Sequence, residues 1–109
     1  MSNKQKLLKF FESENNRDWE SYRSFLHPQV KWILHSKEER LICGIDNYLA
    51  AIKRAYLQIG GTFKCEGIYR GGNEDRIVTI LKNSFGELSC DVFEFKDGLI
   101  IEEHEFILS

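Results

Sequence analysis

Near the end of the chain, carboxylates alternate with apolar residues in a pattern suited to proton transfer. In Cys90-Asp91-Val92-Phe93-Glu94-Phe95-Lys96, strand alternation places Asp91, Phe93 and Phe95 on one face. In the segment from Leu99 to Ile107, Glu103 and Glu105 share a face with Ile101 and Ile107. If the two faces coincide, Asp91, Glu103 and Glu105 lie among aromatic and aliphatic side chains. Unpaired carboxylates are costly to bury, and like charges beside one another push at least one of them towards its protonated form. A carboxylic acid poised near neutrality can take a proton alpha to a carbonyl and return it elsewhere. The chemistry expected is therefore proton transfer with neither a metal nor an organic cofactor.

Coincidence of the faces depends on the Lys96-Asp97-Gly98 turn. A two-residue Asp97-Gly98 loop pairs Lys96 with Leu99 and sets Asp91 opposite His104. A three-residue loop, with Gly98 left-handed, pairs Phe95 with Leu99 and sets Asp91 opposite Glu103. A slip of one residue exchanges faces, so the two exclude one another. The second is favoured because it joins Phe93, Phe95, Leu99 and Ile101 into one apolar surface. The first joins Phe93 and Phe95 to Ile100 and Phe106 instead.

The elements that must position these groups follow from periodicity. Ser2 suits the N-cap of a helix reaching about Glu14, with Leu7, Leu8, Phe10 and Phe11 as its apolar stripe. Asn15-Asn16-Arg17 breaks that helix. Asp18 caps a second, which buries Trp19, Tyr22, Phe25 and Leu26 and ends at His27-Pro28. Val30 to His35 is a strand with Val30, Trp32 and Leu34 on one face, followed by a charged loop from Ser36 to Arg40. Gly44 opens a third helix with Ile45, Tyr48, Leu49, Ile52, Tyr56 and Ile59 at helical spacing, and Gly60-Gly61 stops it. Strands follow over Phe63–Arg70 and Arg76–Lys82, and then the final hairpin. Helices followed by an antiparallel meander make an α+β domain, its curved sheet closed by the helices.

Composition excludes several classes. The 109 residues, 42% of them hydrophobic with a single proline, suit one folded domain spanning 1–109. A net charge of −2 with interspersed signs lacks the basic footprint of a nucleic-acid binder. No apolar run approaches a membrane span, and the opening segment reads as an amphipathic helix rather than a signal peptide. Cys43, Cys65 and Cys90 lack paired spacing, which fits reduced thiols in the cytoplasm. No metal site is expected, since His27, His35 and His104 are as dispersed as the cysteines.

Blander readings stand beside these. Glu103 and Glu105 would be inert on the outer sheet face, where Arg76 or Lys82 offers a cross-strand partner. His27 suits a helix end, and His35 lies on the face opposite Trp32. Phe10, Trp32, Leu34, Tyr48 and Phe93 are candidate ligand-lining residues, although side chains at such spacing are more often core.

Taken together, Asn15-Asn16-Arg17-Asp18-Trp19, Leu26-His27-Pro28-Gln29-Val30-Lys31-Trp32, Gly44-Ile45-Asp46-Asn47-Tyr48 and the segment from Asp91 to Glu105 resemble the nuclear transport factor 2-like superfamily. The resemblance is to its SnoaL-like and ketosteroid-isomerase-like branch and covers nearly the whole chain. It implies a cone-shaped domain, also called cystatin-like, with a strongly curved antiparallel sheet, a cavity for a small apolar molecule, and a homodimer formed through the outer sheet face. Ketosteroid isomerases use an aspartate base with a tyrosine and a protonated aspartic acid. Here the tyrosine's place falls on Phe10 and the base's on Leu34, and only the acid has a counterpart, Asp91. In the polyketide-cyclase-like branch the resemblance gives Glu105 the acid–base position, with Asp91 facing it. That implies a cofactor-independent isomerase, cyclase or lyase. A ligand-binding or dimerisation module of the same fold is the alternative.

Overall fold

The computed structural model describes residues 1–108. Helix α1 (Asn3–Asn15) starts at a capping box, in which the Ser2 hydroxyl accepts from the Gln5 amide and the Gln5 side chain accepts from the Ser2 amide. Leu7, Phe10 and Phe11 are buried at i, i+3 and i+4. Leu8, expected in that stripe, falls just outside it and is 42% exposed. Arg17, left-handed at φ 57°, turns the chain after α1. Asn15 ties the end of α1 to the strand that opens at Phe63 through both its amide atoms, which bond the Phe63 backbone at 3.0 Å each.

Asp18 caps α2 (Trp19–Arg23), which is shorter than expected. Strand β1 already begins at Leu26 and runs to His35, so His27-Pro28 opens a strand instead of closing a helix. Pro28 fits there because β1 is irregular between Leu26 and Lys31, where no ladder N–H is needed. A further correction follows the charged loop. Arg40–Cys43 forms a short edge strand, β2, too brief for its alternation to register in sequence. Gly44 then leads into α3 (Ile45–Ile59), which ends at Gly60 and Gly61 with φ of 71° and 85°. Tyr48, Leu49 and Ile52 are buried, whereas Ile59 is 68% exposed.

The remaining strands are β3 (Phe63–Arg70), β4 (Arg76–Asn83), β5 (Leu88–Lys96) and β6 (Leu99–Leu108). One curved, unclosed sheet results, ordered β2-β1-β6-β5-β4-β3, with the helices against its concave face. Its pairs are antiparallel except β1 with β6, which run parallel because α3 carries the chain across to β3 before the meander returns it to β6. The core joins Leu7, Phe10 and Phe11 to Tyr22, Tyr48, Phe93 and Ile100. Phe10 stacks on Tyr22 at 4.1 Å between ring centroids.

Neither expected register of the last hairpin holds. Asp97 and Gly98 have φ of 54° and 76°, a two-residue turn with both centres left-handed, and Lys96 pairs with Leu99. The register then shifts, since Phe95 faces Ile100 while Glu94 faces Glu102, leaving Ile101 unpaired. Beyond that bulge Phe93 faces Glu103, Val92 faces His104 and Asp91 faces Glu105. The apolar surface is therefore built with Ile100, which is fully buried, and not with Leu99 and Ile101. The turn demands its glycine. Gly98→Ala should destabilise the fold by about 1–2 kcal/mol, because a Cβ is strained in the left-handed region. Urea unfolding with an unchanged slope checks this.

Candidate functional site

Pairing across the sheet arranges the inner face in rungs. One rung runs Arg40, Leu34, Glu105, Asp91, Thr79 from β2 to β4. The next runs Ile42, Trp32, Glu103, Phe93, Ile77. The three carboxylates thus meet on the concave side, each offering an oxygen within 4.8 Å of the others. The outward arrangement of Glu103 and Glu105 is excluded, and Arg76 bonds Glu94 on the outer face at 2.5 Å.

A hydrogen-bonded chain passes through this cluster. The Tyr22 hydroxyl donates to that of Tyr48 at 3.4 Å, and Tyr48 donates to Glu103 Oε1. Ser89 donates to Asp91 Oδ1 at 2.6 Å, and the Trp32 indole N–H donates to Glu105 Oε1 at 3.1 Å. Burial pushes Glu103 well above the usual carboxylate range, and the charges of Asp91 and Glu105 push it further. Burial also raises Asp91, against hydrogen bonds from Glu103 and Ser89 that favour its ionised form. Glu103 is accordingly the member that holds its proton and donates it to Asp91. Glu105, only half-buried, is pushed up to about 8 by desolvation and by the charge of Asp91.

The opposite wall carries a group that strand alternation could not reveal. Glu14, one helical turn beyond Phe10 on α1, accepts from the Tyr56 hydroxyl. Desolvation pushes it up to about 7, with repulsion from Asp91 adding to the rise. Arg17 stands near without neutralising it. Its guanidinium lies 3.8 Å over the Tyr56 ring and donates to the carbonyls of Glu14, Asn15 and Gly61. The available sequence signal was the place of Glu14 one helical turn beyond Phe10, which reads equally well as an exposed edge of α1.

A pocket of about 450 Å³ opens over these groups. Asp91, Glu103 and Glu105 line it, as do Phe10, Trp32, Leu34, Tyr48 and Phe93. All eight residues singled out from sequence therefore converge on one space. Phe10 and Phe93 do so from within the core, at 1% exposure each. His35 and His104 lie on the outer face, where they stack on one another and bond Nε2 to Nδ1 at 3.0 Å. The oxygen-only carboxylate set has donors suited to a hard divalent cation, which would have to displace the protons the cluster retains.

These protons make stability pH-dependent. Unfolded glutamates release theirs near 4.5, whereas in the fold Glu14 and Glu105 retain theirs to about 7 and about 8. The folded state thus binds more protons across that window. Stability should be full below pH 4.5 and fall as pH rises through about 8. Glu105→Gln should flatten the upper part of the decline and make the fold of the order of 1 kcal/mol more stable above that window. Urea titrations at a series of pH values measure both.

Comparison with known proteins finds the fold and leaves the activity open. No family model and no curated protein matches this sequence. Solved structures do. Bal32a, from a soil-derived mobile gene cassette, superposes with a TM-score of 0.87 at 18% identity, over 98% of this chain and 89% of that one. A SnoaL-like protein of unknown function from Burkholderia thailandensis E264 gives 0.85 at 15% identity, over 97% and 94%. An NTF2-like protein of unknown function from Cytophaga hutchinsonii ATCC 33406 gives 0.81 at 11%, over 99% and 91%. The chain has the nuclear transport factor 2-like, cystatin-like fold.

Proposed function

We propose that this protein is a small-molecule pocket protein that moves protons on an apolar carbonyl compound without a cofactor, as an isomerase, cyclase or lyase. The observation that carries the reading is the meeting of Asp91, Glu103 and Glu105 in a pocket walled by Trp32, Leu34 and Tyr48. Three adjacent carboxyls in different protonation states supply both halves of an acid–base pair. Asp91, whose ionised form is favoured by Ser89 and Glu103, takes the proton alpha to the carbonyl. Glu105 holds its proton below about 8 and gives it to the carbonyl oxygen or to another carbon. Glu103, backed by Tyr48, holds Asp91 in place.

The apparatus of ketosteroid isomerases is not the basis of this reading, because Phe10 has no hydroxyl and Leu34 takes no proton. Those two positions favour the second reading, a non-catalytic ligand-binding or dimerisation module. The outer sheet face gives it further support. Rows Tyr69, Val78, Val92 and Ile80, Cys90, Phe106 are largely apolar and only partly covered. A second copy of the chain, seated on this face, completes the proposed assembly. The described residues contain no helix long and apolar enough to cross a membrane. Three free thiols fit a reducing compartment such as the cytoplasm.

Deuterium incorporation beside the carbonyl of 2-decanone in heavy water, followed by NMR, separates the readings. The protein should accelerate exchange, and the rate should fall as pH rises through about 8. Asp91→Asn and Glu105→Gln should each lower it by at least ~100-fold. Exchange no faster than in buffer would sink the enzymatic reading and leave the binding module. In sedimentation, Phe106→Asp should turn a dimer into a monomer, and a wild-type monomer would refute the assembly.

A further inference from the structure

Two cations of the pocket have no part in proton transfer. Arg40 and Arg54 are the basic residues among those lining it, and neither has an ion-pair partner among the described residues. Register places Arg40 on the concave side, since it pairs with Leu34, which pairs in turn with Glu105. Paired residues of adjacent strands share a face. Arg40 therefore stands two strands from Glu105 on the same rung, a backbone separation of roughly 10 Å at the usual strand spacing. Arg54 lies on α3 between Ala51 and Gln58, which also line the pocket. Both arginines are exposed, whereas the carboxylate end is buried. The pocket is thus polarised along its length, with cations at the mouth and acids in the depth.

We propose that the pocket takes an amphipathic acid, a carbonyl compound whose own carboxylate binds Arg40 and Arg54 at the mouth while its apolar body reaches inward. The inference rests on the proton-transfer reading and narrows its substrate class. Polarity fixes the orientation of the ligand. A carboxylate entering first would meet the ionised Asp91 and shed its water among Glu103, Glu105 and Glu14, none of which is a cation that could pair with it. One that stays at the mouth meets guanidinium groups whose fork matches it. Glu87, also at the mouth, is the one opposing charge there, and it accepts from Asn83 Nδ2 at 2.9 Å. Ile59, Phe85 and Ile107 line the same end and are exposed, giving the body of the ligand an apolar approach. Rung spacing acts as a ruler, placing the reactive carbon roughly 10 Å from the headgroup.

Decanoate and 2-decanone, equal in chain length and differing in the headgroup, test the proposal by calorimetry and by amide NMR titration. Wild type should bind decanoate about five- to tenfold more tightly at low salt, and high salt should shrink that ratio. Arg40→Gln and Arg54→Gln should each bring the ratio towards unity. A ratio of unity in wild type, or one that neither substitution changes, overturns the proposal. If 2-decanone binds and exchanges its protons while decanoate gains nothing, this inference alone fails. If neither compound shifts any pocket resonance, the proton-transfer reading fails with it.

Discussion

The unpaired residue Ile101 sets the parity of β6, and the pocket depends on that parity. Strand side chains alternate, so each residue inserted into one strand of a pair reverses every face beyond it. With a two-residue turn and no bulge, Ile100 would share the inner face with Phe106, and Glu103 and Glu105 would turn outward, away from Asp91. The single insertion lets Ile100 face the core while Glu103 and Glu105, further along, face it too. Apolar packing near the turn and a carboxylate cluster near the strand's far end are made compatible by one residue. Bulges beside candidate sites are a recognised way of re-aiming side chains.

Turning three acids inward creates an electrostatic load that the surroundings distribute. Tyr48, Ser89 and Trp32 donate to Glu103, Asp91 and Glu105 respectively, so none of the three lacks a polar partner. None of these donors is a cation. The carboxyls are therefore stabilised by sharing protons and not by neutralisation, which keeps their protonation responsive to pH and to an arriving ligand. Arg17 shows the same restraint on the other wall, where its N–H groups are taken by carbonyls and its charge by the Tyr56 ring. An Arg–Glu14 pair would hold that carboxyl ionised at all working pH.

Most of the architecture was readable from sequence because it rests on local signals. Ser2, Asp18, Gly60-Gly61 and Asp97-Gly98 mark their caps and turns by known backbone preferences. The site was legible as a set of residues but not as a register, since alternation shows which residues share a face and not where pairing slips. The favoured three-residue turn led to the right face by a wrong route, because the slip occurs at Ile101 and not at Gly98. Strand β2 escaped notice because four residues carry too little periodicity. Glu14 escaped because its burial is created by α3 and Tyr56, distant in sequence.

The parallel pairing of β1 with β6 also governs how the molecule comes together. Trp32 and Glu105 touch across 73 positions of chain, so this contact closes a long loop. Contacts so distant in sequence close late and slowly, because loop entropy must be overcome before they stabilise anything. Until β6 docks, β1 has only the short β2 on one side and presents a bare edge on the other. During synthesis, then, the sheet keeps an open edge at β1 until the last strand is inserted, and the same insertion brings Glu103 and Glu105 to the floor of the pocket.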